Sequence, residues 1–150
     1  MSALVAFLHH IAAFTLVATI AIEFVLLRGE LTAARARQIL AADMVYGISA
    51  GVILLVGLAR VFHFEKGAAY YFHSIPFIAK LSLFVIIGLL SIYPTVEFLK
   101  WRPAVRQGQA PVLTEDTRRR IRRVIHAELA AVVVLILCAA LMAKGVSHFG

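Results

Sequence analysis

One cysteine, one tryptophan, three methionines and four prolines are spread over 150 residues, and each scarcity excludes something. Cys138 alone cannot close an internal disulfide or build a thiolate metal site, and no Cys-x-x-Cys-His exists for covalent haem attachment. Met1, Met44 and Met142 offer too few thioethers for the soft-ligand sets that copper handlers favour. Charged residues make up only 15% of the chain, with 8 acids against 15 Lys and Arg. Hydrophilic runs are scarcer still. Only residues 100–124, KWRPAVRQGQAPVLTEDTRRRIRRV, form one of any length, which leaves no space for a soluble domain.

What fills the chain instead is apolar sequence. Hydrophobic residues reach 62% and mean hydropathy is +0.92, where a soluble domain is nearer half apolar. Residues 3–27, ALVAFLHHIAAFTLVATIAIEFVLL, contain no Lys, Arg or Pro. At about 1.5 Å per residue such a run crosses a hydrocarbon core. It lacks the basic flank of a cleavable signal and is long for an h-region, so it reads as retained. Further apolar runs predict helices over about 44–62, 74–99 and 115–146. The expected architecture is all-α: one integral membrane four-helix bundle occupying residues 1–150. Asp43 is expected to cap the second helix, and Thr114, followed by Glu115 and Asp116, the fourth. Pro76 suits a first turn, Pro94 predicts a kink, and Gly47 with Gly51 gives the small-residue spacing of close helix packing in lipid. Tyr70, Tyr71 and Phe72 suit an interfacial belt.

The net charge of +7 does not signal nucleic acid, because the basic residues sit between the apolar runs. Arg28, Arg35, Arg37, Lys100, Arg102, Arg106 and the cluster Arg118, Arg119, Arg120, Arg122 and Arg123 fall in the first and third loops; the second has Lys66, with Arg60 just before it. The positive-inside rule then places loops one and three in the cytoplasm and both termini outside, in a bacterial inner membrane. The arginine cluster is expected to grip anionic lipid headgroups.

This topology sorts the ionisable residues into two layers. His9, His10, Arg60, His63, His73, Lys80 and His148 fall in the outer half, and Glu23, Asp43, Glu97, His126 and Glu128 in the inner half. Imidazoles inside a helix bundle are a route to haem or metal. At 100° per residue His9 shares a face with Glu23 while His10 points away, so His9 is the better inward candidate. Lys80, Phe84, Ile87, Ser91 and Thr95 form a mildly polar stripe on the third helix. The plain alternatives are interfacial histidines at His63, His73 and His148 and a snorkelling Lys80. In the inner layer, ion pairs of Glu23, Glu97 and Glu128 with Arg28, Arg102 and Arg122 or Arg123 are favoured. The sharper alternative is a metal or proton site made from Glu23, Asp43, Glu97, His126 and Glu128.

The runs LHHIAAFTLVATIAIEFVLLR, AADMVYGISAGVILLVGLAR and FIAKLSLFVIIGLLSIYPTVEF resemble a bacterial family of four-helix membrane proteins that has no established activity. More distantly, the layout is similar to the small four-helix bacterial protoporphyrinogen oxidases and to copper-resistance membrane domains. In the oxidases an early helix 1 histidine and a helix 3 lysine are associated with b-type haem. The resemblance implies haem b at His9 or His10 with Lys80; as a haem site, the outer layer would also offer His63 as the ligand opposite, with Arg60 and His73 towards propionates. The chemistry would be electron transfer or porphyrinogen or quinone oxidoreduction with a membrane redox partner. The doubled histidine, Arg60 and the fourth helix depart from that pattern. Two other readings stand beside it: an ion, proton or metal transporter, as a homo-oligomer through the Gly47/Gly51 face, and a structural subunit without chemistry.

Overall fold

The structure, a computed structural model, describes residues 3–64 and 73–144. Among these residues the fold is all-helical: α1 (Ala3–Leu26), α2 (Ala33–Ala59), α3 (Ile75–Leu99), α4 (Arg102–Arg106) and α5 (Glu115–Ala143), with a π-helical turn at Arg60–Phe64 extending α2. Four stretches, Ala3–Leu26, Ala33–His63, Ile75–Leu99 and Glu115–Ala143, are long and apolar enough to cross a membrane. The expectations for Lys66, Tyr70, Tyr71, Phe72 and His148 fall outside the described residues.

The largest departure from the sequence reading is α2, which begins at Ala33 rather than near Met44. The basic segment before Met44 is not a loop. Thr32 caps it, its hydroxyl accepting from the Arg35 amide at 3.1 Å. Ala36 and Ile39 recur on one face and are completely buried. Alanine, arginine, glutamine and leucine are strong helix formers, so charge did not preclude a helix here. Asp43 therefore caps nothing; it stands in the middle of α2. Thr114 does cap α5, accepting from the Thr117 amide at 3.3 Å. Pro94 is accommodated within a continuous α3.

The helices pair as two hairpins, α1 most extensively with α2 and α3 with α5. The hairpins meet chiefly through α1 and α5 and more thinly through α2 and α3. Their shared core is lopsided. Leu16, Ile20, Leu27, Ile39, Phe98, Ile121 and Ile125 are buried near the end that carries the arginines. The third connection contributes too: Trp101 stacks on Phe98 at 4.9 Å and Val105 of α4 is buried. Two arginines fasten the first connection to this end. Arg118 donates to the Gly29 carbonyl at 2.9 Å and Arg35 to the Glu30 carbonyl at 2.8 Å. A side chain at position 29 would strike the Arg35 guanidinium. In the opposite half, no residue of 50–59, 75–86 or 133–143 is buried.

Candidate functional site

Within the packed half three helices each deliver a carboxyl to the interior: Glu23 from α1, Asp43 from α2 and Glu128 from α5. They are 3%, 9% and 2% exposed. The helical period explains the placement. Leu16, Thr19, Ile20 and Glu23 lie on the buried face of α1, and Ile121, Ile125, Glu128 and Val132 on that of α5. Asp43 lies between Ile39 and Tyr46 on the buried face of α2. The acids are thus carried inward by the same stripes that make the core.

The fourth helix supplies hydroxyls. Thr95 of α3 donates to Asp43 Oδ1 at 2.8 Å, and Ser91, one turn earlier, stands beside the buried Tyr46 hydroxyl. The polar stripe expected on α3 does face the interior at Ile87, Ser91 and Thr95. Glu23 lies within electrostatic reach of both Asp43 and Glu128, and Glu128 within reach of Asp43. Among the described residues, one oxygen of Glu23 and one of Glu128 have no hydrogen-bond partner. Above Glu23 on α1, Thr19 and Thr15 continue the stripe, their hydroxyls turned back onto the carbonyls of their own helix.

The favoured ion pairs are not what holds these acids. Arg28 lies over the Phe24 ring, 4.5 Å from its centroid, rather than against Glu23. Among the described residues no cation pairs with Glu128, because Arg122 and Arg123 sit on the far side of α5 from it. Glu97 does form an ion pair, but with Lys100 at 2.8 Å, near the surface. His126 is exposed and meets Phe24 at 6.0 Å between ring centres. Glu97 and His126 thus stand apart from the buried trio. No group of three or more His, Cys, Asp or Glu among the described residues is arranged to hold a metal ion. Sequence reasoning missed Tyr46, Ser49 and Thr19, all buried; the i, i+3 spacing of Asp43, Tyr46 and Ser49 was the available signal.

The histidine-bearing half is looser. His9 is half-buried and turned towards α2, where a side chain on Gly57 would come within 3.8 Å of its ring. His10 is exposed, its Nδ1 against the Ala6 carbonyl at 2.6 Å, and its ring meets His9 edge-on. His63 and His73 are exposed, and Arg60 and Lys80 half-buried. His9 and Lys80 belong to different hairpins.

Comparison with known proteins gives one match. The model of the family described as "Predicted membrane protein (DUF2214)" matches residues 1–147. The chain belongs to this family. Membership agrees with the four apolar helices and makes the protein a multi-pass membrane protein. It lends no support to a haem or oxidoreductase role, or to the likeness to oxidases and copper-resistance domains. No curated protein and no solved structure matches.

Proposed function

We propose that this member of the family is a proton-handling membrane protein that works through the buried layer of Glu23, Asp43 and Glu128. One observation carries the reading: two almost wholly buried carboxyls, each with an oxygen that lacks a partner among the described residues. An uncompensated carboxylate in a low-dielectric interior costs several kcal/mol, so intramembrane acids of this kind mark proton or ion pathways by default. The three acids stand on separate helices. The cation that such a layer can exchange one at a time is the proton. Asp43, held by Thr95, fixes one end of the layer, and the Tyr46 hydroxyl stands near it beside Ser91, while the Ser91 and Thr19 hydroxyls donate to carbonyls of their own helices.

The placement in a bacterial inner membrane, with the arginine-rich end in the cytoplasm, follows from the one-sided distribution of Arg and Lys. The acid layer then lies towards the cytoplasmic side. Gly47 and Gly51 face outward into open space, leaving that face of α2 for a homo-oligomer.

The test is proton flux into vesicles reconstituted with the purified protein, loaded with a pH-sensitive dye and driven by a potassium diffusion potential. Acidification faster than in protein-free vesicles, lost in E23Q and E128Q, supports the reading. A wild-type rate equal to that of empty vesicles overturns it.

A second reading, haem b with a redox role, draws on the inward turn of His9. His9 would supply one axial ligand and Lys80 or His63 the other, with Arg60 and His73 towards the propionates; His10 is turned to its own helix. Bound haem would supply one-electron chemistry, and the aliphatic walls would exclude water. An absorption spectrum of protein from haem-supplied cells, reduced and oxidised, tests it, and a colourless H9A variant would assign the ligand.

A further inference from the structure

The arginines that take no part in folding form a surface of their own. On α5, Arg119, Arg122, Arg123 and His126 recur at i, i+3, i+4 and i+7, which makes one continuous face. By the helical period this face lies about 150° from the buried stripe Ile121, Ile125 and Glu128. Together with Phe24 of α1 these four residues line an open groove of about 340 Å³. Arg28 closes over the other side of the Phe24 ring. At the rim the Glu115 carboxylate lies 3.4 Å from Arg119 Nε and 4.0 Å from Arg118 Nε, and Asp116 is exposed on the same turn. Arg122 and Arg123 pair with no acid among the described residues.

The same face of α5 continues away from the arginines as Val133, Val134, Leu137 and Leu141, all exposed. Cations at one end and bare aliphatics along the remainder match a single kind of molecule, one with an anionic head and long apolar tails. A free phosphate would use only the first part.

We propose that this groove is a binding site for an anionic phospholipid, the phosphate held by Arg119, Arg122 and Arg123 and the acyl chains lying along the exposed aliphatic face of α5. Guanidinium groups suit phosphate because their planar donors can engage two oxygens at once. Phe24 and His126 form the floor at the level where headgroup gives way to hydrocarbon. On α5 the groove residues lie on the face away from Glu128, so the site is distinct from the acid layer.

The experiment is native mass spectrometry of the full chain released from nanodiscs of phosphatidylglycerol mixed with phosphatidylcholine. Wild-type protein should retain phosphatidylglycerol over phosphatidylcholine by roughly tenfold, the scale expected of one to two arginines at a membrane surface. R122Q/R123Q should bring that preference down to about parity, and R122K/R123K should keep an intermediate part of it. R102Q/R106Q, which removes two exposed arginines of the same end outside the groove, should change it by less than about twofold. Equal losses in the two Gln double variants would overturn the site in favour of diffuse charge. Displacement of the lipid by millimolar inorganic phosphate would overturn the lipid in favour of a soluble anion. Because the substituted side chains lie on the outer face, retained helicity and monodispersity accompany the expected result.

Discussion

At the end of the bundle that bears the arginines, Ile39, Phe98, Ile121 and Ile125 are completely buried, two connections are tied down, and three acids are enclosed with them. At the end that bears the histidines, whole turns of α2, α3 and α5 pass without a buried residue. In lipid this contrast has a specific meaning. Tails are as apolar as leucine, so helices gain nothing by hiding aliphatics from them, and association rests on close packing and on polar contacts. The arginine-rich half has both. The histidine-rich half turns more of its aliphatics outward, with Ala12, Val61 and Ser74 among its few buried residues. The acids therefore sit where the structure is most closely packed.

Substitutions that target one end at a time measure the contrast, with stability read from reversible unfolding in mixed micelles. The largest loss is expected from Phe98→Ala, which deletes a fully buried ring stacked on Trp101 and should cost about 3 kcal/mol. An effect below about 1 kcal/mol would mean that this end is not packed as described. Thr95→Val removes the hydroxyl bound to Asp43 while keeping the shape, and should cost about 1 kcal/mol. Glu128→Gln sharpens the question of how the acids are held. With no cation paired to Glu128 among the described residues, the variant should unfold at the same denaturant strength or be stabilised by up to about 1 kcal/mol. A hidden ion pair would instead show as a loss of about 3–5 kcal/mol. The smallest effect belongs to the other end: Leu137→Ala, on an exposed face of α5, should stay within about 0.5 kcal/mol. A loss there as large as that of Phe98→Ala would erase the distinction between the halves.

Much of the architecture was legible in the sequence, because four apolar runs of membrane length leave few alternatives. The Thr114 cap and the inward stripe on α3 followed from local chemistry and the helical period. The start of α2 did not. Arg35 and Arg37 made residues 32–43 look like a connection, whereas Ala36 and Ile39 at i, i+3 carried the helical signal beneath the charges. That misplacement hid the role of Asp43, assigned to a cap when it is a core residue. The pairing of the inner acids was misjudged for a related reason. Proximity in sequence put arginines one turn from Glu23 and Glu128, but a turn along a helix also rotates the side chain. Arg28 and Arg122 end up outside, where Phe24 and the groove are, while the carboxyls end up inside. The histidines were more conspicuous than the acids as residue types. Yet His10, His63 and His73 lie on exposed positions, and composition alone cannot report which way a helix end faces.

The central claim is that the working part of the molecule is the buried acid layer and not the histidine-bearing end. The direct measurement is voltage-driven proton flux through vesicles containing wild-type protein, E23Q or H9A/H10A at matched protein content. The account predicts that E23Q falls to the rate of protein-free vesicles while H9A/H10A stays within about twofold of wild type, since a loss of more than tenfold would require more than about 1.4 kcal/mol at the transport barrier. Flux that survives in E23Q and disappears in H9A/H10A would contradict it.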